Sequence, residues 1–241
     1  MHDPGHGLPG GTRTPGPARR PSPSGARSRR VWVLLAVASA AGPVLVVPYL
    51  PLGLAGSRLD VGGGLHRGLL AGHVFTAFVA LVLGPPQFVP AIRARRRVHR
   101  AIGRTYLLGG VLPAAVTAVP VALLSGRTVT QIGLTVPAVG WLLTGWLAYR
   151  AARAGEFETH RRWMMRNYAL TFLAVTARAA VPLLLIAGAP FRDAGTDGSA
   201  GDAATDLIPV GQVLGWVVNL AVVELMIRRR DARRGAAGGR A

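Results

Sequence analysis

Apolar residues run along the chain in six long, nearly uncharged stretches, at roughly residues 31 to 52, 68 to 92, 102 to 125, 129 to 149, 165 to 190 and 207 to 227. Each approaches the ~20 residues that a helix needs to cross the hydrocarbon of a bilayer. In lipid the backbone has no water to bond with, so runs of this length predict helices that satisfy their own N–H and C=O groups. The pattern therefore predicts an all-α fold, a polytopic membrane helix bundle with six transmembrane helices over residues 31 to 227. Residues 1 to 30 are rich in Pro, Gly, Ser and Arg and read as a disordered tail, because they offer little apolar surface to offset the entropy of ordering. A second, basic tail covers residues 228 to 241. The stretch RSRRVWVLLAVASA has the basic start, short apolar core and small-residue end of a cleavable signal. Its apolar run continues through VLVVPYLPL, long enough to span, and it is read here as the first helix.

Charge gives this count an independent check. The 241 residues are 50% hydrophobic and 16% charged, yet the formal net charge is +18. Six arginines lie in the first tail, six between Arg93 and Arg104, five between Arg150 and Arg166, and six after Ile227, together 23 of the 28 basic residues. Basic short loops stay in the cytoplasm, so their recurrence at every second connection predicts a multi-pass protein of the cell membrane with both termini cytoplasmic. The positive charge then faces the bilayer and its anionic headgroups, and no nucleic-acid partner is expected. All 28 basic residues are arginine, a bias that weakens any claim that a particular one was selected for its forked geometry. There is no cysteine, which excludes disulfides and thiolate metal sites.

Two helix entrances on the basic side repeat one another. VHRAIGRTYLL (98 to 108) and THRRWMMRNYAL (159 to 170) each give His-Arg and then Arg-x-Tyr at the mouth of an apolar run. Anchoring accounts for arginines and a tyrosine at an interface but does not require imidazole. Span two breaks at GPPQF (84 to 88) after about 16 apolar residues, roughly 24 Å of helix. Its two prolines free carbonyls one turn back, one of which Gln87 is placed to satisfy. Glu224 and Asn219, on the same half of span six, need a basic or polar partner in the bundle. Gln87, His99, Arg100, Arg104, Tyr106, His160, Arg161, Arg166, Asn167, Tyr168 and Glu224 thus share one depth and form the candidate binding residues. If spans three and five pack side by side, His99 and His160 face one pocket, with Gly103 leaving room for a ligand toward span three. Arg178, thirteen residues into span five, is too deep to reach the cytoplasmic interface easily and must face protein or water. His73, near the outer end of span two, reads as a packing histidine. Gly133, Pro137, Gly140, Thr144 and Ala148 put a small-residue stripe on span four, suited to close helix contact.

HVFTAFVALVLGPPQF, HRAIGRTY and HRRWMMRNYAL, in this order and spacing, resemble a bacterial membrane-protein family known as domain of unknown function 2306, over roughly residues 65 to 190. On that resemblance His73, Gln87, His99, Arg100, Tyr106, His160, Arg161, Trp163, Arg166 and Tyr168 fall on the family's motif positions. A looser similarity is to the cytochrome b561 type of haem membrane protein, which implies a haem b with His99 and His160 as ligands. Span four carries no histidine, so a second haem would lack a ligand pair. Three functions follow. One is a cytoplasmic-side His/Arg pocket binding a small anionic molecule or lipid. The second is a redox protein with that single haem, and the third a non-catalytic membrane assembly subunit. No nucleophile-base-acid set or Walker-type loop assigns the chain to an enzyme class.

Overall fold

The structure, a computed structural model, describes residues 64–188 and 200–238 together with helical positions 33, 37 and 40. The first tail and, apart from those three positions, the first expected span lie outside the described residues. From residue 64 the elements are α1 (Gly64–Leu83), a 3-10 turn (Pro85–Phe88), α2 (Pro90–Ala94), α3 (Arg96–Arg104), a π-helical segment (Thr105–Val111), α4 (Leu112–Leu123), α5 (Thr128–Arg153), α6 (Phe157–Thr171), α7 (Leu173–Gly188) and α8 (Ala200–Gly238). Among the described residues every regular element is helical.

Four helical stretches, Gly64–Phe88, Arg96–Leu123, Thr128–Arg153 and Asp206–Ala236, are long and apolar enough to cross a membrane. The α6–α7 pair, bent by 44° at Phe172, makes a fifth when taken as one broken span. These are the expected spans two to six, so the polytopic bundle stands, and the count of six rests on a run outside the described residues. The helices extend beyond the apolar runs: α6 begins eight residues before the hydrophobic stretch at 165, and α8 continues to Gly238. Water-exposed turns of these helices keep their backbone bonds and need no apolar cover.

Each irregularity has a local cause. The π segment ends two residues before Pro113, whose ring would meet the carbonyl of Gly109 in a regular helix, and the wider turn relieves that contact. At the bend, Asn219 Nδ2 donates to the carbonyl of Ala169 at 3.0 Å, one of the terminal acceptors that α6 leaves open. His73 Nδ1 donates to the carbonyl of Ala114 at 2.8 Å and ties α1 to α4.

Neighbours pack in a chain: α1 against α4 and the π segment, α4 against α5, α5 along α6, and α7 along α8, which also touches α5 and α6. Small residues mark the closest approaches. A Cβ on Gly110 would stand 2.9 Å from the backbone of Ala80, and one on Gly211 would stand 3.0 Å from the carbonyl oxygen of Ala177. Large apolar side chains such as Phe75, Leu108, Val116, Val139, Leu183 and Val222 point outward, as a lipid-facing belt requires.

Candidate functional site

The broken end of α1 comes first, because two prolines in sequence remove two helical donors. Pro85 leaves the carbonyl of Leu81 open, and the hydroxyl of Tyr168, from α6, donates to that oxygen at 3.2 Å. The tyrosine ring reaches it by lying over Gly84, where any Cβ would collide with Cδ2 and Cε2 of the ring. Phe88 meets the same ring edge-on, with centroids 6.1 Å apart. Tyr168, rather than Gln87, therefore repairs this break. Gln87 is 5% exposed and turns toward α3, its Oε1 lying 3.3 Å from the point where a Cβ on Gly103 would stand. The room left by Gly103, expected to admit a ligand, holds this carboxamide, whose Nε2 is enclosed without a partner.

Deeper in the bundle, polar side chains from three spans saturate one another. Tyr106 Oη donates to Asn167 Oδ1 at 2.6 Å and lies 2.8 Å from Thr171 Oγ1, which also accepts Trp141 Nε1 at 3.0 Å. The Asn167 amide donates to the carbonyl of Trp141 at 2.7 Å and to Thr144 Oγ1 at 2.9 Å. Thr144 passes its own proton to the carbonyl of Gly140 at 2.7 Å. Tyr106 and Asn167 are both 0% exposed and every donor in the set has an acceptor, so this network is a plug that fixes helix register. Gly145 makes space for it, since a Cβ there would stand 3.3 Å from the Asn167 amide nitrogen. Trp141, Thr144 and Thr171 were not among the sequence candidates. Their signal is only a polar residue on the inner face of a span.

Toward the basic end, His160 and His99 sit above this plug. His160 Nδ1 lies 2.8 Å from the carbonyl of Ala148. A carbonyl can only accept, so Nδ1 carries the proton and Nε2 is the free position. His99 is half-buried and its Nδ1 is enclosed without a partner. The two imidazoles lie within electrostatic reach of each other. Spans three and five are nevertheless not principal neighbours: span four packs along α6, and Tyr106 is what carries span three to Asn167 and Thr171. Arg100 and Arg104 are exposed on the same basic surface, and Arg161 is partly buried. Arg178 is exposed, and its guanidinium folds back onto the carbonyl of Ala174 at 3.2 Å.

Arg166 lies on a different face of α6, toward Glu224 of α8. Arg166 Nη2 lies 2.7 Å from Glu224 Oε2, and its Cζ stands 4.8 Å from the Trp163 ring centroid. The pair is one rung of a ladder between the antiparallel ends of α6 and α8, with Arg162–Asp231 at 3.1 Å and Glu158–Arg230 at 2.8 Å. Glu224 and the arginine close one end of a lateral groove of about 450 Å³ between α5, α6 and α8. Its walls are Val136, Pro137, Gly140, Leu170, Leu220 and Ala221, so part of the small-residue stripe on span four opens this groove instead of closing a helix contact. Trp216 also lines it, with an enclosed and unpartnered Nε1.

Haem b between His99 and His160 is not supported by this arrangement. Only one of the two imidazoles is anchored through Nδ1 as an axial ligand ordinarily is, and buried Gln87, Met164 and Tyr106 pack the interior beneath them. Among the described residues no group of three or more His, Cys, Asp or Glu side chains is gathered as a metal site would need.

No curated protein and no solved structure matches the chain. The family profile described as Predicted membrane protein (DUF2306) matches residues 70–227, from the first turns of α1 to the ion-pair ladder on α8. That stretch holds the proline break, the polar plug, both mouth histidines and the groove. This chain is an integral membrane protein with transmembrane helices, and it belongs to the family of predicted membrane proteins known as domain of unknown function 2306.

Proposed function

We propose that this protein binds an anionic amphiphile, a lipid-like molecule with an apolar tail and an acidic head, in the groove between α5, α6 and α8. One observation carries the reading: an apolar groove of about 450 Å³ ends on the Arg166–Glu224 pair. The tail is matched by Val136, Pro137, Leu170 and Leu220, and the head by a guanidinium already facing an oxygen acid. Glu224 is shared between Arg166 and Arg228, the second at 3.5 Å, so the cluster keeps a surplus positive charge for an incoming anion. The side chains of Arg166 and Glu224 are 24% and 37% exposed, and a pair that open is worth only about 0–1 kcal/mol. A phosphate offering two acceptor oxygens to the guanidinium competes well with it. The arginine asymmetry supports a cytoplasmic position for this end of the groove, with both termini inside and the ligand entering from the inner leaflet of the cell membrane.

Thermal unfolding in nanodiscs tests the proposal. Full-length protein in phosphatidylcholine discs gains stability when phosphatidylglycerol is added, and a ligand at ~100 times its Kd stabilises by about 2.7 kcal/mol. Arg166→Ala removes that gain. An equal gain in Arg166→Ala would overturn the proposal.

A further inference from the structure

A second cluster of polar side chains lies on another face of α6, turned away from the groove. Along α6 the positions 160, 164, 167 and 171 turn into the bundle, whereas 158, 162 and 166 face α8. At the inward-facing mouth, Gln87 is nine-tenths buried and more, yet its Nε2 has no acceptor. Its carboxamide rests against Gly103, which is one helical turn beyond His99 on the same face of α3. His99 Nδ1 is likewise enclosed and unpartnered. His160 has committed Nδ1 to Ala148, so its Nε2 is the position left for a further contact.

We propose that Gln87, His99 and His160 hold an oxyanion, a phosphate or carboxylate group, at the basic mouth of the bundle. A buried amide donor without an acceptor carries a desolvation penalty that native proteins ordinarily avoid, and an oxygen supplied from outside the chain removes it. The nitrogen of a carboxamide only donates, which selects an acceptor ligand. Arg93 acts electrostatically on His99, and Arg100 and Arg104 are exposed on the same helix, so the local field opposes a metal cation and favours an anion. An oxyanion with several lone pairs accepts from the carboxamide and from one or both imidazoles at once. The site is independent of the groove: the saturated Tyr106–Asn167–Thr144 network stands between them.

The test uses full-length protein in phosphatidylcholine nanodiscs with ring-¹⁵N-labelled histidine. One arm titrates inorganic phosphate and the other incorporates phosphatidic acid. The expected result is a saturable shift of the His99 ring nitrogens in at least one arm, and the responding arm tells a soluble anion from a lipid headgroup. Gln87→Leu weakens that response roughly tenfold or more, the effect of losing one hydrogen bond to a charged group. The same variant raises the melting temperature of the ligand-free protein, because the orphaned donor is gone. Gln87→Glu, similar in size but repelling an anion, gives the same loss of response should the leucine variant fail to fold. Arg166→Ala leaves the His99 response unchanged. Silence of His99 in both arms, or a response that survives both Gln87 variants, overturns the proposal and leaves buried water as the partner of these groups.

Discussion

Tyr168 donates its hydroxyl proton to the carbonyl of Leu81 at 3.2 Å, the acceptor that Pro85 leaves without a helical donor. A side chain from span five thus completes the backbone of span two. Tyr168→Phe should destabilise the protein by roughly 1–3 kcal/mol, the range for a buried acceptor left open. Pro85→Ala restores a backbone N–H four residues from Leu81 and should recover part of that loss in the double variant. Denaturant melts of the four proteins check this, and a Phe variant as stable as the parent would refute the repair.

Tyr106 and Asn167 form the centre of the plug. Tyr106→Phe leaves Asn167 Oδ1 without its donor and should cost about 1–3 kcal/mol. Asn167→Leu removes the shorter of the Tyr106 hydroxyl's two contacts together with the amide donor to the Trp141 carbonyl and Thr144 Oγ1, and should cost at least as much. Because each variant already breaks the shared bond, the double variant should cost less than the two together by ~0.5–3 kcal/mol. Additive losses in a thermodynamic cycle would show that the two side chains act separately.

Neighbouring glycines in the π segment give opposite expectations. Gly110→Ala places a methyl 2.9 Å from the backbone of Ala80, which cannot move as a side chain could, and should cost about 1–3 kcal/mol. Gly109→Ala meets only Thr105 Cγ2 at 3.6 Å, an ordinary contact, and should be neutral or stabilising by up to ~1 kcal/mol. Melting temperatures of the two variants decide whether the α1 crossing is as tight as described.

The expected orientation rests on the arginines alone. Reporter fusions after residues 96, 156 and 235 should be cytoplasmic, and fusions after residues 62, 127 and 198 should be external. A cytoplasmic signal at residue 198 would contradict the topology on which the inner-leaflet entry depends.

The spans were legible because hydropathy is a property of each segment, and a run of ~20 apolar residues needs no knowledge of its neighbours. Pairings between spans were not. The repeated entrances suggested Tyr106 and Tyr168 as equivalents, yet the residue seven positions beyond each histidine is Tyr106 on one helix and Asn167 on the other, and these two meet. One further residue turns Tyr168 about 100° around α6, toward the broken end of α1. Grouping candidates by depth gathered Arg166 and Glu224 with His99 and His160, although Arg166 and His160 occupy different faces of α6 and Glu224 pairs with Arg166 from α8. The bend at Phe172 follows no proline, so the sequence carried no breaker to announce it.

The groove is tested most directly by native mass spectrometry of protein released from membranes containing phosphatidylglycerol. Ala221 lines the groove and is exposed, so Ala221→Trp fills the space without disturbing the packed core or the surface arginines. The account predicts that the parent protein retains one anionic lipid, that Ala221→Trp loses it, and that the variant melts at the temperature of the lipid-free parent. Retention of the same lipid by Ala221→Trp would show that surface arginines hold it by charge alone and that the groove between α5, α6 and α8 is not its site.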